Sequence, residues 1–432
     1  MGTNIATYPR SRSSEQLSSN ATSIDSIDTD TAPPASCGLF GSLLSLSLGV
    51  WFASYIIPFQ AADHWDPLVV VGNFPEMRKW QYFGLGQFIL LGFLYRFTED
   101  RTPRNVLPIG FPSLLWGGLV AWCGASCLWS IDPSASFKFL SALILCLYSC
   151  LTFWHLPRHV IARSANFSCF AICASLCYLA LILGFRERTL GYITANHLGS
   201  FGLVMVAISQ LARRPFRQVF AVLGTCVMLY TQSRTLLVSA MLFLMTYATI
   251  GTLIRSRRSL YVVATCTVFA FPLGILVLPP ALEWFAQASA DAFGTVKERA
   301  DSSMTGRTDW WDAGLRLLEG HEFLGYGYRT RRGLETWEGI YRNAHSGILN
   351  ACLDIGLIGC GLYLITFLAT LWKCLDDWAE RRDPIDRVVA SYLIGIVPSL
   401  IIEPNYLSFS GSVGLMLLFA CSQLTTKPAT AE

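Results

Sequence analysis

Residues 346–372 read SGILNACLDIGLIGCGLYLITFLATLW. This apolar run is long enough to cross a hydrocarbon core of roughly 30 Å as a helix. Similar runs, separated by short polar breaks, occur from Leu39 to Leu424, and we count twelve. They are residues 39–60, 80–97, 106–128, 137–154, 167–185, 195–212, 216–232, 235–254, 260–279, 346–372, 387–402 and 405–424. The pattern predicts an all-α polytopic membrane protein with about 12 transmembrane helices.

The composition leads to the same conclusion. Only 14% of the 432 residues are charged, whereas a soluble domain carries about 25% because its surface must be wetted. The mean hydropathy of +0.45 indicates that lipid covers most of the surface. A soluble enzyme, a disordered protein and a nucleic-acid binder are excluded, and the net charge of +3 is too small to indicate an anionic polymer as partner.

The basic residues of the breaks predict the orientation, because Lys and Arg are retained on the cytoplasmic side of a membrane. With the N-terminus inside, the cytoplasmic breaks contain the Arg and Lys residues of segments 101–104, 158–163, 213–217, 255–258 and 373–387. The short outward breaks hold fewer, namely Arg78, Lys79, Lys138, Arg186, Arg188 and Arg234. Both termini are therefore expected in the cytoplasm, and the long loop 281–344 between spans 9 and 10 is expected outside.

Three segments of different composition follow from this pattern. Residues 1–36 are rich in Ser, Thr and Asp, which predicts a disordered cytoplasmic tail. Residues 39–424 form the membrane domain, and residues 425–432 form a short cytoplasmic tail.

The outward loop contains 18 charged and ten aromatic residues among 64, enough for a small cap on the helix bundle. Within it, the segment DWWDAGLRLLE at 309–319 predicts an amphipathic helix, with charged residues on one face and Trp and Leu residues on the other. Such a helix lies in the membrane interface or packs on the core of the cap itself.

The fourteen cysteines are predicted to be small core residues, since all except Cys37 and Cys374 fall inside apolar runs. The groups Cys169/Cys173/Cys177 and Cys123/Cys127 lack acidic or histidine partners with ligand spacing. His155 and His159, which follow Cys150, could form a metal clip, but solvated histidines of the basic loop HLPRH are the preferred interpretation, so we expect no metal and no cofactor. The long loop contains no cysteine, and no disulfide framework is indicated.

Three polar residues stand out as candidates for chemistry. Arg234, in TQSRTLLV, lies between spans 7 and 8 with no room for a loop, on the side where positive charge is disfavoured. Arg307 precedes the amphipathic helix in GRTDWW, and His345 lies in NAHSGILN where the loop enters span 10. Each also has a structural explanation: a snorkelling interfacial Arg, a solvated loop Arg and an ordinary interfacial His.

Together the three residue types fit one reaction. Guanidinium groups bind phosphate oxygens in a bidentate way, which suits a diphosphate leaving group at the membrane surface. A neutral imidazole can remove the proton of an attacking hydroxyl. Two arginines and one histidine are thus sufficient to displace a lipid diphosphate with an alcohol, although spacing alone does not show that they converge.

At this point the sequence resembles the O-antigen ligase and O-antigen/exopolysaccharide polymerase superfamily of bacterial inner-membrane proteins. The matching stretches are WSIDPSAS (129–136), QSRT (232–235), GRTDWWDAGLRLLEGHEFLGYGY (306–328) and NAHSGILNACLDIGLIGCGLYL (343–364). The last two are the most specific. The resemblance extends over residues 39–424 and includes twelve spans and a large periplasmic loop between spans 9 and 10.

The resemblance implies transfer of a glycan from undecaprenyl diphosphate to a sugar hydroxyl at the periplasmic face, without a metal, by a ligase or a polymerase. His345 maps onto the catalytic base, and Arg234 and Arg307 map onto the diphosphate-binding arginines. The implied partners are the undecaprenyl-diphosphate-linked donor, a glycan or lipid A core acceptor, membrane lipids and other polysaccharide assembly proteins. Arg186, Arg188 and His197 face the same side and are further candidates for the cavity.

Two positions depart from the family pattern. Ser346 stands where the family often has Asn after the His, and His321-Glu322 replaces the usual His-Pro before the Leu-Gly turn. The first departure concerns acceptor positioning, and the second a loop turn, in which His321 is expected to be structural.

Two other functions compete with glycan transfer. A secondary transporter of a small anion could use Arg234 and Arg307 as ligands, but transporters usually place charged or broken-helix sites near the midplane. No acid or base is expected at the centre of a span here. The other competing hypothesis is a membrane scaffold for polysaccharide assembly, which would tolerate loss of His345.

Overall fold

The computed structural model describes most of the chain. The described residues are 39–56, 75–98, 110–183, 185–186, 189–190, 195–252, 310–330, 334–336, 339–340, 344, 346–403, 406–407 and 411–424. The predicted tail 1–36 and the ninth span, 260–279, lie outside them.

Helices dominate the described part of the chain. They are α1 (Leu39–Ala53), α2 (Pro75–Thr98), α3 (Phe111–Ala125), α4 (Pro133–Phe153), α5 (Arg158–Leu183), α6 (Ala195–Ser209), α7 (Phe216–Thr231), α8 (Arg234–Thr252), α9 (Gly347–Arg381), α10 (Pro384–Gly395), α11 (Val397–Ile402) and α12 (Gly411–Ser422). Two antiparallel pairs of two-residue strands complete the secondary structure: β1 (Phe185–Arg186) with β2 (Thr189–Leu190), and β3 (Glu335–Thr336) with β4 (Gly339–Ile340).

The helices confirm a helical membrane protein. Five stretches of the described chain are long and apolar enough to cross a membrane: Phe111–Leu128, Pro133–Phe153, Arg158–Leu181, Gly347–Arg381 and Pro384–Ile402. Shorter apolar helices accompany them. Large apolar side chains such as Leu114, Leu181 and Ile365 are exposed on the outside of these helices, as expected where lipid is the solvent.

Local sequence explains where several helices begin. Proline follows the N-cap of α4 and of α10, where its missing N–H costs nothing. The carboxylate of Asp132 accepts from Ala135 N–H at 3.0 Å, and that of Asp383 accepts from Ile385 N–H at 3.0 Å. Each carboxylate thereby satisfies one of the free N–H groups of a helix start.

Neighbouring helices pack in sequence and across it. Helix α1 packs on α2 and α5, α6 on α7, α8 on α10, α9 on α3 and α10, and α12 on α4 and α6. Between α6 and α7 the backbones approach closely, because a Cβ on Gly202 would lie only 2.7 Å from the Gly224 carbonyl oxygen. Helices α6 and α11 also contact α8, and α11 contacts α9.

Helix α9 is sharply bent, so the run at 346–372 is not one straight helix. Gly356 has φ 69° and ψ 177°, and a Cβ there would clash with the Phe323 carbonyl oxygen. Only glycine combines this left-handed backbone with so close a neighbour. Trp122 Nε1–H donates to the Ile355 carbonyl at 2.9 Å and so binds a carbonyl left open beside the bend.

The amphipathic helix predicted in the long loop is confirmed over residues 310–318. Gly314 and Leu318 are buried, while Trp310 and Leu315 are 40% and 55% exposed. The apolar face is therefore only partly covered by the protein.

The cysteine prediction holds for most of the described positions. Buried cysteines are Cys123, Cys146, Cys150, Cys169, Cys352, Cys360, Cys374 and Cys421. Cys177 and Cys226 are exposed, and for these two the core prediction is wrong because their helix faces point away from the bundle. Cys374 is buried although it lies outside the predicted run, and its thiol donates to the Asp386 carbonyl at 3.2 Å.

Candidate functional site

The structure describes part of the predicted site. His197 lies in the first turn of α6, and its half-buried ring meets Phe201 edge-on at 5.8 Å. Arg234 is the first residue of α8 and Arg186 lies in β1, and for both only the backbone is described. Outside the described residues lie Arg188, Arg307 and His345.

Arg234 directly follows a tight turn between two helices. Helix α7 ends at Thr231, and Gln232 adopts the left-handed conformation with φ 50° while its N–H donates to the Leu229 carbonyl at 3.2 Å. Helix α8 begins two residues later. The prediction that Arg234 lies between two helices with no room for a loop is therefore confirmed.

A chain of hydrogen bonds ties this turn to the start of α6. The Ser233 hydroxyl donates to Asn196 Oδ1 at 3.1 Å, and Asn196 Nδ2–H donates to Glu403 Oε2 at 3.2 Å. Because Ser233 precedes Arg234 and Asn196 precedes His197, the backbones at these two candidates lie in one neighbourhood. Sequence spacing did not reveal this proximity.

The residues on both sides of His345 are fixed. Ala344 N–H donates to Asn350 Oδ1 at 3.0 Å, and Asn350 is fully buried. Ser346 is the N-cap of α9, where its hydroxyl oxygen accepts from Leu349 N–H at 3.3 Å. Ser346, the departure from the family pattern, thus acts as a helix cap, a role that Asn also performs.

The turn at residues 322–328 packs against the bend of α9. Tyr326 N–H donates to the Leu353 carbonyl and Gly327 N–H to the Asp354 carbonyl, both at 2.8 Å. In return, Leu357 N–H donates to the Glu322 carbonyl at 2.7 Å. The bend at Gly356 frees these backbone groups, so the end of the loop continues the hydrogen bonding of the helix.

The WSIDPSAS stretch contacts the same turn. Ile131 N–H donates to the Tyr326 carbonyl at 3.1 Å, and the Ser136 hydroxyl donates to the Tyr328 carbonyl at 2.9 Å. Trp129 Nε1–H also donates to the Leu324 carbonyl at 3.0 Å. Three of the four stretches that carried the resemblance therefore meet at the start of α9.

Two buried acids near these elements were not predicted from the sequence. Asp354 lies inside the predicted span 346–372 and is fully buried, and its Oδ2 accepts from the Tyr406 hydroxyl at 2.5 Å. Glu403, at the end of α11, is 7% exposed. The available signal was a carboxylate within an otherwise apolar run, which itself marks a functional or structural role.

The loop turn has its own polar contacts. Glu322 accepts from Gly320 N–H at 2.9 Å, and this hydrogen bond, with one from its own N–H, lowers the pKa of the exposed carboxyl. His321 stacks on Tyr326 with ring centroids 4.2 Å apart, in keeping with its expected structural role. The Tyr326 hydroxyl donates to the Leu317 carbonyl at 2.5 Å, and partial burial raises its pKa.

Within the part of the chain that the structure describes, no cluster of three His, Cys, Asp or Glu side chains has the arrangement of a metal site. Around the described part of the candidate site, the polar groups are amides, hydroxyls, the His197 imidazole and the carboxylates of Asp354 and Glu403.

Comparison with protein families gives one match. Residues 219–364 match the family model described as O-Antigen ligase. The predicted resemblance to the O-antigen ligase and polymerase superfamily is thereby confirmed over these residues. Among curated proteins, none matches this chain. The matched range contains Arg234, Arg307 and His345, together with the turn 322–328 and the bend of α9.

Proposed function

With the O-antigen ligase match as the premise, we propose that this protein transfers a glycan from a polyprenyl-diphosphate-linked donor to a sugar hydroxyl. The donor lipid is undecaprenyl diphosphate, and the acceptor is a growing glycan or a lipid A core. The reaction belongs to surface polysaccharide biosynthesis. The observation that carries the proposal is that all three candidate residues fall inside the matched range 219–364.

The reaction is a displacement at the anomeric carbon. The imidazole of His345 removes the proton of the acceptor hydroxyl, and the oxygen forms a bond to the anomeric carbon of the donor glycan. The bond between that carbon and the phosphate oxygen breaks, and polyprenyl diphosphate leaves with the electron pair. No oxidation or reduction is involved.

Arg234 and Arg307 stabilise the leaving group. Negative charge accumulates on the diphosphate as the bond breaks, and two permanently charged guanidinium groups lower the energy of that state. The position of Arg234 supports this role, since the first residue of a helix lies where free N–H groups also favour an anion.

The reaction requires the site to face the periplasm. We place twelve spans in the bacterial inner membrane, with both termini in the cytoplasm and the loop 281–344 in the periplasm. The Arg-rich breaks support this orientation. Arg186, Arg188 and His197 then line the same outward cavity, and other polysaccharide assembly proteins bind elsewhere on the chain.

Transfer by the purified protein tests the proposal. Proteoliposomes containing the full chain are given a lipid-linked oligosaccharide donor and a glycan acceptor, and the product is followed on a gel. We expect His345→Ala to abolish transfer, and Arg234→Ala and Arg307→Ala to reduce it by about 100-fold or more, the usual effect of losing one group that stabilises developing charge.

Matched controls separate chemistry from folding. His159→Ala and Arg213→Ala remove the same side chains on the predicted cytoplasmic side and should leave transfer unchanged. Full activity in His345→Ala would rule out the assigned base. Uptake of a labelled anion without glycan transfer would instead favour the transporter.

A deletion strain separates the two kinds of glycan transfer. Loss of polysaccharide chain length in that strain identifies a polymerase, and loss of chain attachment identifies a ligase.

A further inference from the structure

The segment between α11 and α12 contacts both parts of the candidate site. Glu403 and Tyr406 are three residues apart in this segment. Glu403 is linked through Asn196 to Ser233, the residue before Arg234, and Tyr406 contacts Asp354 in α9, the helix that follows His345. Neither residue belongs to the stretches that carried the resemblance.

The Glu403 contact begins at a buried carboxylate. Its Oε2 accepts from Asn196 Nδ2–H at 3.2 Å, and Asn196 Oδ1 accepts from the Ser233 hydroxyl at 3.1 Å. Asn196 uses both ends of its amide, so its rotation is fixed by Glu403 on one side and Ser233 on the other. Ser233 is bonded to Arg234, and the chain of contacts thus sets the turn from which α8 begins.

The Tyr406 contact reaches the part of α9 before the bend, residues 347–355, which we call the short arm of α9. The Tyr406 hydroxyl donates to Asp354 Oδ2 at 2.5 Å, and both residues are fully buried. A hydrogen bond to a buried carboxylate is stronger than one between neutral groups. The backbone carbonyl of Asp354 also accepts from Gly327, so the same residue holds the loop turn.

We infer that Glu403 and Tyr406 are positioning residues, which hold the turn before Arg234 and the arm of α9 after His345 in one relative arrangement. The turn and the short arm of α9 come from distant parts of the sequence, and Glu403 and Tyr406, three residues apart, are linked to both. Since displacement of a lipid diphosphate needs the base and the diphosphate-binding groups on opposite sides of one carbon, their separation limits the rate. The inference rests on the proposed function for its link to catalysis, but the relative arrangement can be measured by itself.

Two conservative variants remove one interaction each. Tyr406→Phe deletes only the hydroxyl, and its matched control is Tyr363→Phe. The Tyr363 ring lies edge-on to Tyr406 at 6.1 Å and is equally buried, but its hydroxyl makes no hydrogen bond to any described residue. Glu403→Gln removes the charge and keeps the size, and Glu380→Gln is its control because Glu380 is exposed near the end of α9.

The first measurement separates kcat from KM in proteoliposomes. We expect Tyr406→Phe and Glu403→Gln each to lower kcat about tenfold with little change in the KM for the lipid-linked donor, since misplacement of reacting groups lowers the rate of the chemical step. Both control variants should keep the kcat of the wild type. A loss of folded protein alone would lower the amount of active enzyme and leave kcat per folded molecule unchanged.

The second measurement does not depend on activity. Spin labels on a non-canonical amino acid at Leu229 and Leu357, both exposed, report the distance between the end of α7 and the bend of α9. We expect the distance distribution to broaden in Tyr406→Phe and Glu403→Gln and to keep its width in the controls. An unchanged distribution or an unchanged kcat in both variants overturns the inference. If the wild-type protein transfers no glycan, the proposed function fails. The distance distribution alone then decides whether Glu403 and Tyr406 hold the turn before Arg234 and the short arm of α9 in place.

Discussion

The two ends of α9 hold their charged residues in different ways. At its C-terminal end, charges pair with each other: Arg158 Nη2 lies 2.8 Å from Asp383 Oδ2, and Lys373 Nζ lies 2.6 Å from Asp377 Oδ1. At its N-terminal end, the buried carboxylate of Asp354 accepts a hydrogen bond from Tyr406. The straight arm 357–381 separates these ends by roughly 36 Å at 1.5 Å per residue.

This difference predicts where a substitution is felt. In these ion pairs the carboxylates of Asp377 and Asp383 are buried, but the side chains of their partners Lys373 and Arg158 are 39% and 63% exposed. Each pair therefore contributes little by itself, because water and salt reach the cation and screen the attraction. A buried carboxylate with a directed donor depends on one atom and has no water to replace it. Changes at the C-terminal end of α9 should therefore alter stability slightly and leave transfer intact, whereas changes at the N-terminal end should alter the site.

The largest effect is expected at the bend that joins the two arms. Gly356→Ala places a methyl group against the Phe323 carbonyl oxygen, where it would clash. The substitution also forces a left-handed conformation on alanine. We expect a loss of about 3 kcal/mol in the free energy of unfolding, together with loss of transfer. Thermal unfolding of the purified protein measures the first effect and the proteoliposome assay the second.

Gly361→Ala is the matched control for the bend. Gly361 lies in the straight arm of the same helix, and a Cβ there meets no atom within 4 Å. Alanine is the better helix former, so this variant should be as stable as the wild type or more so. If Gly356→Ala were equally stable and active, the bend would not be needed to bring the loop turn onto the helix.

A smaller effect is expected at the other end of the helix. Asp383 caps α10 and pairs with Arg158, whose side chain is 63% exposed. Asp383→Ala should cost about 1 kcal/mol through the cap, and the loss of the ion pair with the solvent-exposed Arg158 should add less than about 1 kcal/mol. Asp383→Asn keeps a capping oxygen and should recover most of the loss, as measured by thermal unfolding.

Transfer activity sharpens the comparison between the ends. Both Asp383 variants should retain the kcat and the KM of the wild type, because the site lies at the far end of α9. A destabilisation of Asp383→Asn as large as that of Asp383→Ala would mean that the ion pair, not the cap, dominates. A change in kcat would contradict the separation of the two ends.

Sequence periodicity predicted the helices well and the bend poorly. Apolar runs report burial or lipid contact, and each of the helices α1 to α12 lies within or overlaps a predicted span because lipid tolerates only paired backbone groups. Gly356 is one glycine in a run that contains several, and its φ depends on the loop turn that packs on it, a contact between distant segments. The pattern of one segment does not encode that contact.

The residues of the candidate site also fall into two groups, those that the sequence reveals and those that only contacts between distant segments reveal. Arg234 could be found from sequence because a positive charge on the predicted outward side is unusual. Asn196 and Glu403 could not be found, since a polar residue at a helix end is common. Their significance comes from the hydrogen bond between them and from the one that Ser233 donates to Asn196. Asp354 was detectable as an acid in an apolar run, but its partner Tyr406 lies 52 residues away.

The smallest effect is expected at Ser346, where the cap of α9 adjoins the predicted base His345. Ser346→Ala removes the acceptor for Leu349 N–H and should cost about 1 kcal/mol of stability, because one helix N–H loses its partner. Ser346→Asn supplies another capping oxygen and should restore both the unfolding temperature and the transfer rate. If Ser346→Asn restored stability but not transfer, the serine hydroxyl would have a role in the reaction besides capping, and the N-terminal end of α9 would supply a polar contact to the acceptor as well as the position of His345.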